Sequence, residues 1–187
     1  MRIISGKFKN KKLLLPDDKL TRPLRDLVKE SIFNILEHSL FSNINIENSN
    51  ILDLFSGTGS FGLEAISRGA RFVRFVENYN NVLKILEKNI SNLKCENFCE
   101  IVKLNCFDYI KNKTVDEQKY DIIFLDPPFK EKMINELLEK LILLNNLKNN
   151  GIVILHRHKK DNLILTEKIK ILDKREYGLS KIIFAKF

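Results

Sequence analysis

The sequence lacks several features that would fix a class of protein at once. No apolar run in its 187 residues approaches the roughly 18 residues that a membrane helix needs. The first twelve residues have no apolar stretch of the kind found in secretory signal peptides. The three cysteines, Cys95, Cys99 and Cys106, are an odd number and include no Cys-x-x-Cys pair, so neither a disulfide framework nor a zinc site is indicated. We therefore expect a cytoplasmic protein with no membrane contact and no bound metal.

Positive charge is scarce in the middle of the chain. Residues 1–30 hold nine Lys/Arg and four Asp/Glu, residues 150–187 hold nine and four, and residues 31–149 hold fourteen and sixteen. The formal net charge of +8 therefore belongs to the two ends. This distribution favours a polyanionic partner, and nucleic acid is a better candidate than lysines that serve solubility alone.

Glycine is sparse too, but three of the seven glycines fall close together in residues 51–65, ILDLFSGTGSFGLEA. This stretch predicts a strand, a tight loop and a helix. Gly57 and Gly59 would let the loop turn with positive φ and let a ligand approach the main chain. Asp53, at the end of the strand, would repel a pyrophosphate on the helix N-terminus but would suit a cation. The loop therefore favours S-adenosylmethionine, with its sulfonium and ammonium, over a nicotinamide dinucleotide; a packed turn without a ligand is the competing interpretation.

The rest of the chain alternates between strand and helix patterns. We predict strands at 51–55, 72–76, 100–104, 120–125 and 151–155, the last after a turn at 148–150, and helices at 60–68, 80–93 and 132–144. Such alternation is typical of a parallel sheet with helices on both faces. Segments 167–172 and 181–187 flank Tyr177-Gly178 and predict an antiparallel pair that closes the sheet. The predicted fold is α/β with a mostly parallel sheet.

The N-terminal part has a different pattern. Residues 1–16 predict a short hairpin around Ser5-Gly6, forming an arm outside the main fold. Residues 21–23, Thr-Arg-Pro, introduce a helix that runs to about Ser39. The polar stretch 43–50 is the best linker, so we divide the chain into an N-terminal extension, 1–48, and a catalytic domain, 49–187. The basic residues expected to contact nucleic-acid phosphates are Arg2, Lys7, Lys9, Lys11, Lys12, Arg22 and Arg25, with Arg157, Lys159 and Lys160 as the alternative footprint.

In an open α/β sheet, ligands bind beyond the carboxyl ends of the strands. Glu77 follows the second strand, where its carboxylate could accept hydrogen bonds from both ribose hydroxyls of an adenosine cofactor. Asn105 follows the third strand and could accept from the adenine amino group, with the Cys106 amide beside it; Asp108 competes for that role. The full predicted cofactor set is Asp53, Phe55, Gly57, Gly59, Glu77, Asn78, Asn105, Cys106 and Asp126.

A second informative stretch is residues 122–129, IIFLDPPF. The two prolines predict a rigid loop that offers carbonyl oxygens and the Asp126 carboxylate beside the ring of Phe129. Two acceptors holding the hydrogens of an exocyclic amine would free its lone pair for attack on a methyl group. Phe129 would stack on the base. We predict that Asp126, Pro127 and Phe129 are catalytic; a Pro-Pro turn after a core strand is the competing interpretation.

These motifs carry a family resemblance. The DLFSGTG loop, the acid at position 77 and the DPPF tetrapeptide resemble class I S-adenosylmethionine-dependent methyltransferases that modify amino groups. The openings MRIISGKFKNKKL and TRPLRDLVKESIFNIL resemble the RsmD-type bacterial enzymes. The resemblance implies a seven-stranded Rossmann-like sheet, methylation of a guanine N2 in 16S ribosomal RNA, and a substrate within the assembled or partly assembled 30S subunit. Asn105 departs from the family, in which many members have an acid.

Other functions remain open at this point. An adenine-N6 methyltransferase acting on RNA or DNA could share the D-P-P-aromatic loop, although a DNA-directed enzyme usually carries a further recognition domain. A protein glutamine methyltransferase would be expected to have Asn in place of Asp126. A nicotinamide oxidoreductase conflicts with Asp53, and an RNA-binding module without catalysis leaves DPPF without a role. We expect the protein to act as a monomer.

Overall fold

The structure is a computed structural model that describes residues 1–17, 24–39, 44–112 and 118–187. The α-helices are α1 (Asp26–His38), α2 (Ser60–Ser67), α3 (Asn80–Leu93), α4 (Cys106–Asn112) and α5 (Ile134–Leu144). The strands are β1 (Asn50–Leu54), β2 (Phe72–Val76), β3 (Cys99–Val102), β4 (Tyr120–Leu125), β5 (Leu147–His158), β6 (Lys170–Tyr177) and β7 (Ser180–Lys186). Among these described residues, no helix is both long enough and apolar enough to cross a membrane.

All seven strands form one sheet in the order β3-β2-β1-β4-β5-β7-β6. The first five strands are parallel, and β7 is antiparallel to both β5 and β6. The predicted mostly parallel sheet and its antiparallel closing pair are thus confirmed. The chain order reverses between β1 and β4, which is where an open α/β sheet binds its ligand.

Alternating apolar residues cover both faces of this sheet. In β4, Ile122 and Phe124 point into one buried cluster, and Ile123 and Leu125 point into the other. Helices α1, α2 and α3 contribute to the first cluster, and α4 and α5 to the second. The predicted helices on both faces are confirmed, and their burial holds the strand ends in a fixed relation.

The N-terminal hairpin is not an arm outside the fold, as its sequence had suggested. It has a single bridge between Arg2 and Lys12, and its inward residues Ile3 and Leu13 belong to the same cluster as α1 and the sheet. The main chains of the hairpin and α2 come very close at Gly6, where an added Cβ would lie 1.8 Å from the carbonyl oxygen of Ser67. The lysine-rich turn is therefore held rigidly on α2. The domain boundary after residue 48 stays a prediction.

A buried ionic cluster joins the hairpin to α1 and α2. Glu64 accepts hydrogen bonds from the amides of Ile4 (2.7 Å) and Ser5 (3.0 Å) and from Arg68 Nε (2.9 Å). Lys29 Nζ lies 3.5 Å from the same carboxylate and donates to the carbonyl of Arg2 at 2.7 Å. The side chains of Lys29 and Glu64 are fully buried, and burial lowers the pKa of Lys29.

Two sequence predictions of local structure were wrong, and one helix was missed. The turn expected at 148–150 lies within β5, because Asn145 ends α5 in a left-handed conformation (φ 51°) and Leu147 already pairs with Tyr120. The strand expected at 167–172 runs instead from Lys170 to Tyr177. It is a mostly exposed edge strand, so its sequence lacks the alternation of buried and exposed residues that would show where the strand begins and ends. Helix α4 was not predicted, because its seven residues are too few for a periodic pattern. The start of α1 expected at 21–23 lies outside the described residues.

Candidate active site

The strand register sets the candidate site at one edge of the sheet. Leu54, the last residue of β1, pairs with Val76 of β2 and with Leu125 of β4. Leu125 in turn pairs with Leu155 of β5. The residues that follow these partners therefore lie at a common level along this edge, although His156 is still within β5. They include Phe55, Glu77, Asp126 and His156.

The glycine loop between β1 and α2 turns through left-handed backbone conformations. Phe55, Gly57 and Gly59 have φ values of 60°, 55° and 83°. A Cβ added to Gly57 would meet nothing within 4 Å, whereas one added to Gly59 would lie 2.5 Å from the side chain of Leu86. Gly57 therefore faces open space that a ligand could fill, and Gly59 allows close packing of α3.

Asp53 lies almost fully buried beneath this loop, with 1% of its surface exposed. Its Oδ2 accepts a hydrogen bond from the amide of Gly62 at 3.1 Å. Burial raises the pKa of Asp53 well above its usual range, the carboxylates of Asp126 and Glu77 raise it further, and the Gly62 amide partly offsets these effects. A cation beside Asp53 would reverse this penalty on the charged form.

Glu77 ties the glycine loop to the end of β2. Its Oε2 accepts from the amide of Gly57 at 2.9 Å, and its Oε1 accepts from the amides of Asn78 (2.8 Å) and Tyr79 (2.9 Å). Oε1 thus accepts two hydrogen bonds, whereas Oε2 accepts one and has a further lone pair that can accept from a ligand hydroxyl. The Asn78 side chain is exposed at the same edge.

Asn105 is the N-cap of helix α4, a role that was not predicted from the sequence. Its Oδ1 accepts from the amide of Phe107 at 2.8 Å, and its carbonyl accepts from Tyr109. One lone pair of Oδ1 is therefore already used. Cys106 is buried, and burial raises the pKa of its thiol; its sulfur accepts from the Phe55 amide at 3.2 Å. Asp108 is exposed in the first turn of α4.

The DPPF loop leaves β4 beside the glycine loop, and Arg157 holds it from behind. The Arg157 guanidinium donates to the carbonyl oxygens of Pro128 (3.2 Å), Phe129 (3.2 Å) and Glu131 (2.8 Å), and it pairs with Asp161. These carbonyls are thus engaged within the protein. The Asp126 carboxylate and the Pro127 carbonyl could still accept from a substrate amine.

His156 was not predicted as a site residue, yet it contacts two of the predicted catalytic residues. Its Nδ1 lies 2.7 Å from Oδ1 of Asp126, and its ring meets that of Phe129 edge-on, with centroids 5.6 Å apart. Its Nε2 lies 2.8 Å from Oγ of Ser180. The ring of His158 also packs on Phe129, at 5.2 Å. The local signal was the sequence His-Arg-His at the end of an apolar strand.

Most of the predicted RNA contacts are accessible. Exposed side chains are found at Arg2, Lys7, Lys9, Lys11, Lys12 and Arg25, whereas Arg22 lies outside the described residues. In the alternative footprint, Lys159 and Lys160 are exposed, but Arg157 is 2% exposed and committed to the DPPF loop. Arg157 is therefore not available to a phosphate. Within the described ranges, no group of three or more His, Cys, Asp or Glu residues could hold a metal ion.

Comparison with known proteins places the chain in a family. Residues 1–186 match the family described as Conserved hypothetical protein 95. The chain belongs to this family. Its relatives include "Ribosomal RNA small subunit methyltransferase D" of Buchnera aphidicola subsp. Baizongia pistaciae, 33% identical over 182 residues (97% of this chain, 88% of the relative). The protein of that name from Haemophilus influenzae is 33% identical over 180 residues (96% and 90%).

The fold agrees with this family membership. A solved Escherichia coli structure described as putative methyltransferase yhhF superposes with a TM-score of 0.83 at 26% identity, covering 99% of this chain and 96% of that one. The predicted class I methyltransferase fold and the resemblance to RsmD-type enzymes are confirmed.

Proposed function

We propose that this protein transfers a methyl group from S-adenosylmethionine to the exocyclic N2 amine of a guanine in 16S ribosomal RNA, within the 30S subunit or its precursor. Methylation of small-subunit ribosomal RNA is the coarser part of this function, and it rests on 33% identity over nearly the whole chain with relatives of that name. The reaction takes place in the cytoplasm, and the protein acts as a monomer.

The glycine loop fits the cofactor. S-adenosylmethionine supplies a methyl group on a positively charged sulfonium. Asp53 offers a buried carboxylate whose charged form is compensated only in part, by the Gly62 amide, so a cation beside it is favoured. Gly57 leaves open space where a side chain would otherwise lie. Gly59 shapes the same loop but packs on Leu86, so its contribution to the cofactor is through its main chain.

The adenosine half of the cofactor is assigned to the ends of β2 and β3. The lone pair left on Oε2 of Glu77 accepts from a ribose hydroxyl, and Asn78 lies beside it. The Cys106 amide, at the first position of α4, has no acceptor within the helix and can donate to the adenine ring. Asn105 shares its oxygen between the α4 cap and the adenine amine, with Asp108 as the alternative acceptor. Phe55 borders the ring on the loop side.

The observation that carries the chemistry is the register between β1 and β4. Because Leu54 pairs with Leu125, the glycine loop and the DPPF loop leave the sheet side by side, and Asp126 is close enough to Asp53 to raise its pKa. A base amine held by the Asp126 carboxylate and the Pro127 carbonyl would therefore face the methyl group. Phe129 supplies an aromatic surface for the base.

The basic residues of the hairpin supply affinity for the RNA. The exposed side chains of Lys7 and Lys9 lie on a turn that packs closely on α2 at Gly6, and exposed Arg25 directly precedes α1. Phosphate contacts by such residues set orientation without reading sequence. The base pocket then selects the nucleotide. The set comprises Arg2, Lys7, Lys9, Lys11, Lys12 and Arg25, together with Arg22.

Mass mapping of modified nucleosides tests the function. 16S ribosomal RNA would be isolated from cells with and without the gene and compared with RNA from cells that express the Asp126→Ala variant. We expect one N2-methylguanosine to be lost in both altered strains and restored by the wild-type gene. An N6-methyladenosine lost instead would support the adenine alternative, and an unchanged modification map would contradict the proposal.

A further inference from the structure

The ends of β5 and β7 bring three polar side chains into a line behind the DPPF loop. Because Leu125 pairs with Leu155, the next residues of the two strands, Asp126 and His156, are neighbours. Ser180 begins β7 and reaches the other side of the imidazole from the antiparallel partner strand. The line therefore runs from Ser180 through His156 to Asp126.

Exposure increases along this line toward the site. The side chain of His156 is 9% exposed and that of Asp126 is 19% exposed. The carboxylate thus lies on the open side, and the imidazole lies behind it. His156 engages Oδ1 of Asp126, and among the described residues Oδ2 has no hydrogen-bond donor. Oδ2 is the atom left for a substrate amine.

The direction of each contact follows if Asp126 acts as an ionised carboxylate. An ionised carboxylate only accepts, so the hydrogen between His156 and Asp126 lies on Nδ1. The Nε2 of a neutral imidazole is then an acceptor, and the Ser180 hydroxyl donates to it. The Asp126 carboxylate thereby selects the tautomer, and Ser180 holds the far side of the ring. The same imidazole packs edge-on against Phe129, so one ring restrains both the proposed amine acceptor and the proposed base platform.

We propose that His156 is a positioning residue for methyl transfer, which orients the Asp126 carboxylate toward the target amine and is itself oriented by Ser180. This inference rests on the proposed function, because it acts through Asp126. The competing interpretation is a buried histidine whose two nitrogens are satisfied and which serves stability alone. The two interpretations differ in whether the effect of His156 requires Asp126.

The test is a double-mutant cycle between His156→Phe and Asp126→Ala, with single-turnover methyl transfer to small-subunit particles that lack the modification. His156→Phe keeps a ring against Phe129 but removes both hydrogen bonds. We expect it to slow methyl transfer roughly 10- to 100-fold, with S-adenosylmethionine affinity unchanged. In the Asp126→Ala background, the same change should have no further effect.

Two further variants separate positioning from structure. An Asn side chain can place an N–H near the position of Nδ1, so His156→Asn should recover a rate within several-fold of the wild type. Ser180→Ala should slow the reaction less than His156→Phe, because the link to Asp126 remains. Thermal unfolding and cofactor titration of each variant show whether it is folded.

Different results would contradict different parts of the proposal. Equal rate losses from His156→Phe with and without Asp126 would mean that His156 acts through the fold, and a wild-type rate in His156→Phe would also overturn the inference. If Asp126→Ala reacts at the wild-type rate, the role of Asp126 falls and the inference falls with it. A wild-type protein that methylates no small-subunit RNA would overturn the proposed function itself.

Discussion

Asp53 and Glu64 are two buried acids, eleven residues apart, that have different roles in the molecule. Glu64 is surrounded by donors: two hairpin amides, Arg68 and Lys29. Asp53 is equally buried, but among the described residues the Gly62 amide is the one donor to its carboxylate. A carboxylate saturated by its own protein stabilises the fold. A buried carboxylate with few donors of its own is suited to bind a cationic ligand.

The largest effect on stability is expected when Glu64 loses its charge. Glu64→Gln should reduce the free energy of unfolding by about 3–5 kcal/mol, because it leaves Lys29 buried without its counter-charge. Glu37→Gln is the matched control, since Glu37 pairs with the same Arg68 but is partly exposed; it should change stability by less than about 1 kcal/mol. Denaturant unfolding measures both, and equal small losses would show that the cluster is not a structural element.

A third acid, Asp126, extends the comparison from binding to chemistry. Asp126→Ala should raise the barrier to methyl transfer by about 2–4 kcal/mol, the range for loss of one preorganised polar group. Cofactor affinity should fall far less than the rate, because Asp126 is one of nine residues assigned to the cofactor and the other eight remain. Single-turnover rates and calorimetric titration check the two parts. A rate near that of the wild type would remove Asp126 from the mechanism.

Gly59 and Gly57 of the glycine loop show the same contrast, because one is needed for packing and the other for ligand binding. Gly59→Ala should destabilise the protein by about 1–3 kcal/mol, since its backbone has φ of 83° and the new Cβ would lie 2.5 Å from Leu86. Gly57→Ala meets no atom within 4 Å, so it should add only the smaller strain of a left-handed residue. Its main effect should be weaker cofactor binding. Thermal unfolding with cofactor titration distinguishes the two, and the reverse assignment would show that the open side of the loop is elsewhere.

The smallest effects per residue are expected on the outer side of the hairpin. Deleting residues 1–12 would remove the buried Ile3 and the donors to Glu64, so it would not isolate RNA binding. Replacing Lys7, Lys9, Lys11 and Lys12 with Ala leaves those inner contacts in place. Each lost phosphate contact should reduce the slope of log affinity against log salt by roughly one unit or slightly less. Particle binding across a salt series measures this, with cofactor affinity as the folding control; an unchanged slope would show that these lysines do not touch RNA.

The sequence predicted those parts of the site that lie within short continuous stretches. The glycine loop and DPPF each combine a strand end with residues that fix the backbone, so both were found before the structure. The sheet followed in the same way from alternation along the chain. In each case the signal and the structure that it predicts are local.

The missed features depend on contacts between distant segments. The bond between His156 and Ser180 joins residues 24 positions apart and requires the register of two antiparallel strands. Glu64 looks like an ordinary helical acid in the sequence, and only docking of the hairpin 60 residues earlier makes it structural. Arg157 was named in the alternative RNA footprint for its charge, although the fold turns it inward to the carbonyls of the DPPF loop.

The raised pKa of Asp53 makes both the stability of the protein and its cofactor binding depend on pH. Because burial raises its pKa, the folded protein without cofactor binds this proton more tightly than the unfolded chain does. Its contribution to stability is therefore greatest at low pH and falls as pH rises above about 4, the ordinary value for Asp, toward the raised value. A bound cation favours the ionised form, so cofactor binding should release a proton within that same range.

The most direct measurement is the affinity for S-adenosylmethionine as a function of pH, by calorimetric titration of the wild type and of Asp53→Asn from about pH 5 to about pH 7. The amide side chain of this variant does not ionise, so the comparison isolates the Asp53 carboxyl group. We predict that wild-type affinity rises with pH as binding releases a proton, and that Asp53→Asn binds more weakly with a flatter profile. Equal affinities with the same pH dependence in both proteins would contradict the claim that Asp53 is kept short of donors to receive the cofactor's positive charge.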